Sequence, residues 1–223
     1  MTRPSTMTIR LTVFLIVMIV VTAQEAPSTR NLLNFLSMVS GVFHNKKQVN
    51  RELVAENSES ETEHDFLKVI WQVVNIPQLA PAITMYHEER DGGDVFRKQI
   101  WVISEANQVI HIQPLNVTSV GSDDWSNVVL EPAKDQCEIV FQPVEPDVYM
   151  GTIPDCTRDS EVTQLPYYGF TVTCHSVNTL IYFQSSREAI SKLPYVFKNT
   201  QRFLLPDSLT QTSRDFVPPC GYN

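Results

Sequence analysis

The chain has 223 residues, a formal charge of −8 and 43% apolar residues, enough for one sizeable hydrophobic core. Beyond residue 23 the acidic excess deepens, with 15 basic against 25 acidic residues. Such a surface lacks the positive patches that nucleic acid or an anionic membrane requires, so neither is expected as a partner.

The first 23 residues read as a secretory signal peptide. Arg3 and Arg10 form a positive start, Leu11 to Val21 is one apolar run, and Val21-Thr22-Ala23 is a small-residue cleavage site. The run falls short of the roughly 20 residues needed to span a bilayer. No second apolar segment follows, so the mature protein is expected to be secreted and free of membrane. Residues 24–30 form a short polar leader.

From Arg30 the pattern turns helical. Leu32, Leu33, Phe35, Leu36, Val39, Val42 and Phe43 recur at three-and-four spacing, with Ser28 or Thr29 as a cap and Gly41 and Asn45 as stop signals. A second short helix fits Lys47 to Ala55, and the acidic stretch up to Asp65 reads as a solvated loop. Phe66 to Ile76 is the first strand, rich in β-branched and aromatic residues and ended by Pro77.

Ile83 to Leu115 reads as a three-stranded meander. Asp91-Gly92-Gly93 is a strong hairpin signal, and Glu105-Ala106-Asn107 a weaker one. In the middle strand Arg97, Gln99, Trp101 and Ile103 point one way and Phe96, Lys98, Ile100 and Val102 the other. Across the glycine hairpin, Tyr86 and Glu88 are expected to share the face of Arg97, Gln99 and Trp101. A phenol, a carboxylate, a guanidinium, an amide and an indole on one concave face would make a polar-tipped aromatic pocket. Glu88 is then the candidate acid–base group.

Gly121 to Pro132 reads as a loop with helical turns near Asp124-Trp125. Gln136 to Gln142 pairs with Val148 to Ile153 across a turn at Pro143 to Pro146, and Tyr167 to Cys174 pairs with Thr179 to Gln184 through Ser176 to Asn178. A helical piece is expected over Ser185 to Leu193, then a last strand over Tyr195 to Leu205 and an extended tail, 206–223. Eight or nine short strands with one N-terminal helix describe an antiparallel barrel or sandwich.

Four cysteines in a secreted chain favour two disulfides. Cys137 and Cys156 flank one predicted hairpin and are expected to pair, leaving Cys174 with Cys220. There is no CxxC, and the five histidines show no ligand spacing, so no metal is expected. Asn116-Val117-Thr118 is an N-glycosylation sequon. The chain has no GxSxG, no HExxH and no glycine-rich phosphate loop.

Four blocks, taken in order, resemble the T-type phycobilin chromophore lyases, the CpcT/CpeT family. They are Leu36 to Gln48 (LSMVSGVFHNKKQ); Tyr86-His87-Glu88 followed by Phe96 to Ile100; Cys137 followed by Tyr149-Met150-Gly151 and Cys156; and Pro194 to Phe197. The resemblance implies a calycin-like antiparallel β-barrel over residues 31–205 that holds a bilin, an open-chain tetrapyrrole. Tyr86, Glu88, Arg97 and Gln99 would line its pocket, and an acceptor protein would receive the chromophore on a cysteine. Together the residues and the resemblance point to a secreted barrel that binds a small amphipathic ligand. The alternatives are a chromophore lyase and a ligand-free extracellular interaction protein.

Overall fold

The structure, a computed structural model, describes residues 29–55, 64–119, 125–133, 137–153, 166–183, 193–210 and 215–221. The expected signal peptide, most of the leader, Cys156 and nearly all of the helical piece after Ser185 lie outside the described residues.

Among the described residues, eleven strands form one antiparallel sheet. The first five are β1 (Gly41–His44), β2 (Leu67–Val74), β3 (Ile83–Asp91), β4 (Asp94–Ala106) and β5 (Val109–Ser119). Then come β6 (Val129–Pro132), β7 (Ile139–Glu145), β8 (Val148–Thr152), β9 (Pro166–Thr173), β10 (Ser176–Phe183) and β11 (Tyr195–Arg202). Because β4 pairs with both β3 and β5, ten strands close into a ring in the order β4-β3-β2-β1-β11-β10-β9-β8-β7-β5. β7 pairs with β5 only over Ile110 to Ile112; β6 takes over the same edge from Leu115 onward. The fold is a mainly β, closed antiparallel barrel with an N-terminal helix, one of the two architectures the strand pattern predicted, with more strands than expected.

Two strands account for the difference. Val42 and Phe43 were expected to continue the first helix, but α1 (Arg30–Val39) stops and the chain enters β1. The cause lies at Gly41. A Cβ there would stand 2.4 Å from the Gln201 carbonyl oxygen, so only glycine lets β11 approach this closely. β1 thereby joins the N-terminal part of the barrel to its last strand. The second addition is β6, in a stretch read as loop. The turn between β9 and β10 also moves, to Cys174-His175, because Ser176 to Asn178 already pair with β11.

Alternation along the strands sets the interior. Val69, Trp71, Met85, Trp101, Ile103, Ile110, Ile112, Phe141, Val172, Val177 and Phe197 pack into one core with α1. Every residue of α1 from Leu32 to Val39 is buried, which places it as a plug inside one end of the barrel. Thr29 caps it, accepting from the Leu32 amide at 3.2 Å. The same end is tied by Asn31 Nδ2, which donates to Glu105 Oε1 at 3.0 Å, and by the Tyr149 hydroxyl, which donates to the Asn31 carbonyl at 2.9 Å. α1 therefore sits where β4 turns into β5, and the interior beside the β3–β4 hairpin is left to other side chains.

α2 (Lys46–Ala55) buries none of its residues, and His64 helps to hold it. The fully buried His64 ring places Nδ1 2.6 Å from Glu52 Oε1 and Nε2 2.9 Å from the Leu193 carbonyl. Gln48 adds bonds to Pro194 and Val196. Cys174 is bonded to Cys220 as expected, stapling the tail to the β9–β10 turn. Cys137 is also disulfide-bonded.

Gly41→Ala is expected to destabilise the fold by about 1–3 kcal/mol, the usual cost of forcing extra volume into a packed contact. Urea unfolding followed by tryptophan fluorescence measures it, and an unchanged midpoint would contradict the close β1–β11 approach.

Candidate functional site

The β3–β4 hairpin sets which side chains face the barrel interior. Its loop is the two-residue Gly92-Gly93, and Asp91 pairs with Asp94 and Arg90 with Val95. Continued without interruption, that register would set Glu88 opposite Arg97 and Tyr86 opposite Gln99. Instead a β-bulge at Phe96 advances the pairing by one residue, to Glu89 with Arg97, His87 with Gln99 and Tyr86 with Ile100. A one-residue slip turns a whole strand over. The expectation that Tyr86 and Glu88 share a face with Arg97, Gln99 and Trp101 is therefore corrected. The inward-facing partners are His87 and Glu89.

Inside the barrel these residues form a connected set. The Trp71 indole N–H donates to His87 Nδ1 at 2.5 Å, so Nδ1 is the acceptor and the ring proton sits on Nε2. That nitrogen lies 3.4 Å from Glu89 Oε1, and Glu89 Oε2 is 2.8 Å from Arg97 Nη1. A second line begins at Trp101, whose N–H donates to Gln99 Oε1 at 3.1 Å; Gln99 Nε2 donates to Asn116 Oδ1 at 3.0 Å. The His87 and Trp101 rings stack with centroids 4.3 Å apart, and Trp71 packs against Trp101 at 5.5 Å. Three flat rings thus line a wall edged by an acid, a guanidinium and two amides.

Exposure grades along this wall. His87 and Gln99 are buried, whereas the Glu89 and Arg97 side chains remain 21% and 31% exposed. The polar end of the set meets solvent and the aromatic end lies deep. Burial pushes the Glu89 carboxyl up, but the hydrogen bond from His87 and the Arg97 guanidinium outweigh it and hold the group below the ordinary carboxylate range.

Tyr86 and Glu88 belong to a different cluster on the outer wall. There Ile100, Val74, Ile76 and Val128 are buried beneath the segments carrying β6 and two 3₁₀ turns, Pro77–Leu79 and Trp125–Asn127. Tyr86 packs against Trp125 at 5.1 Å. Glu88, only 4% exposed, accepts from the Tyr86 hydroxyl and from Arg90 Nε, each at 2.5 Å. Burial pushes Glu88 up, and the bonds from Tyr86 and Arg90 more than reverse that. Tyr86 is raised by burial and by Glu88. A carboxylate so fully bonded is a structural tie, poorly suited to exchange a proton.

Sequence reasoning placed Arg97, Gln99 and Trp101 together, and the structure keeps them together. It missed Glu89 and the Trp71–His87 pair. The signal was the phase of Ile83 and Met85, whose apolar character marks the odd-numbered residues of β3 as the inner ones. Asn116, read only as a sequon, faces Gln99 through its carbonyl oxygen. Among the described residues no three of His, Cys, Asp and Glu group in a way that could hold a metal ion, and no helix is long and apolar enough to cross a membrane.

No family model and no curated protein matches the chain. Among solved structures it is similar to the T-type phycobiliprotein lyase CpeT from Prochlorococcus phage P-HM1, at 13% identity and a TM-score of 0.48, over 75% of this chain and 96% of that one.

The Glu89 shift has a testable sign. A carboxyl held below its unfolded value stabilises the fold fully above the ordinary carboxylate range, and that contribution is lost as pH falls through the folded value. Stability measured by urea unfolding should therefore decline on acidification, and Glu89→Gln should flatten that decline. An equally steep decline in the variant would show that Glu89 is not held by His87 and Arg97.

Proposed function

We propose that this chain is a secreted binding protein that takes one small, flat, amphipathic anion into its barrel, with bilins as the ligand class. The observation that carries the reading is the graded inner wall: His87 stacked on Trp101 with Trp71 packed against them in the interior, and Arg97 part-exposed at its edge. A planar conjugated ligand would lie against the rings. Its carboxylate would take a two-pronged bond from Arg97, whose fork matches that geometry. Gln99 and Asn116 would supply the amide contacts. Closed barrels of about this size can hold one small ligand. The leader sequence and the Cys174–Cys220 bond support an oxidising, extracellular destination.

Titration of the purified protein with biliverdin, followed in the visible spectrum, tests this. The expected outcome is a saturable spectral change whose affinity falls about tenfold or more in Arg97→Ala, the scale of one charge-assisted bond. Tyr86→Phe, on the outer wall, should bind as the parent does. No spectral change, or equal affinity in Arg97→Ala, would overturn the reading. Colour passing to an added acceptor protein, and surviving denaturation there, would make the protein a lyase.

A further inference from the structure

A cleft lies on the β11 side of the barrel and reaches Ser37 of α1. It has a volume of about 1050 Å³ and lies between β11, the β9–β10 turn, the start of α2 and the C-terminal tail. Its charge runs against that of the whole chain. Lys47, His175, Lys198 and Arg202 line it, and Asp207 is the one acid among the described lining residues. Among the described residues, none of Lys47, Lys198 and Arg202 makes an ion pair. Phe203, Leu205, Phe216 and Pro218 give the same cleft apolar wall.

Two details show a site arranged for an acceptor. Arg202 Nη2 donates to the Cys174 carbonyl, which orients the guanidinium and leaves most of its five N–H groups free. Burial pushes this group down, the mark of a cation losing water without gaining a counter-charge. The Asn199 amide nitrogen, from another residue of the cleft lining, is buried and lacks a hydrogen-bond partner among the described residues. A buried donor left unbonded costs about 1–3 kcal/mol, which an incoming oxygen acceptor would recover.

We propose that this cleft is a second binding site, for an amphipathic organic carboxylate distinct in position from any ligand of the barrel. The carboxylate meets Arg202 and Lys198, with Asn199 as a neutral donor, and the apolar body lies against Phe203, Leu205 and Phe216. The volume lies just above the usual range of about 300–1,000 Å³ for small-molecule sites. One wall is the tail held by Cys220, and the oriented carbonyl is that of Cys174, so the Cys174–Cys220 bond ties both sides of the cleft. Occupancy therefore depends on the oxidised pair.

The test uses the full secreted protein and cis-parinaric acid, a fluorescent long-chain carboxylate, with its methyl ester as the uncharged control. Lys198→Gln combined with Arg202→Gln should weaken parinarate binding about tenfold or more, and the methyl ester should bind the parent correspondingly weakly. Reduction of the disulfides should release the probe. Lys47→Gln with Lys198→Gln, at positions away from the Cys174 contact, gives the same reading should Arg202→Gln fail to fold. Unchanged affinity in both double variants overturns the proposal. So does equal affinity for acid and ester, or a loss produced by Arg97→Gln, which would place the probe in the barrel.

Discussion

The single extra residue at Phe96 governs what this barrel can do. In a closed antiparallel ring each strand has one inner and one outer face, and the ladder fixes which side chains take which. The two-glycine loop alone would send Tyr86 and Glu88 inward. The bulge inverts β3 relative to the hairpin and sends His87 and Glu89 inward instead. Phe96 itself is left 53% exposed, as a bulged residue without a ladder partner would be. The aromatic and polar character of the interior, and the bonding of the outer cluster, both follow from that local choice.

The plug of α1 is the second determinant. A ten-stranded ring encloses more space than its own side chains fill, and α1 supplies Leu32, Phe35, Leu36, Met38 and Val39 at one end. Phe35 meets Phe141 and Tyr149 at centroid distances of 4.9 and 5.2 Å, so that end is solidly packed. Among the described residues, the hairpin end receives no such plug. Its interior wall is lined by Trp71, Trp101 and His87, rings that pack on one another and are polar enough at one edge to bond outward. The division between a packed half and a polar-edged half is thus a consequence of where one short helix stops.

Most of the fold was legible in the sequence because strand alternation and turn chemistry are local. The meander, the β7–β8 hairpin and β11 all stand where β-branched and aromatic runs put them. β1 was not legible: Val42 and Phe43 continue the helical spacing of α1, and only the partners on either side, far away in sequence, make them a strand. β6 was hidden for a related reason, being four residues whose pairing depends on β7 starting only at Ile139 and leaving the far part of the β5 edge open. The site was half legible. Arg97, Gln99 and Trp101 lie on one strand, where period two suffices. Their partners on β3 required knowing the register, and a bulge leaves no signature in composition, only an apolar phase at Ile83 and Met85 that disagrees with the loop.

The two carboxylates of β3 show how neighbouring residues of like chemistry come to different uses. Glu88 is almost fully buried and bonded on both oxygens; removing Tyr86 or Arg90 would leave a desolvated charge, so its partners cannot be exchanged cheaply. Glu89 keeps Arg97 at an edge that water reaches, and ion pairs of that kind contribute only about 0–1 kcal/mol. A hydrogen bond to a charged group, by comparison, contributes about 1.5–3 kcal/mol. The Glu89–Arg97 pair is thus the one that can be exchanged at small cost, while no comparable exchange is open to Glu88. The outer cluster holds the wall, and the inner one has a partner it can give up.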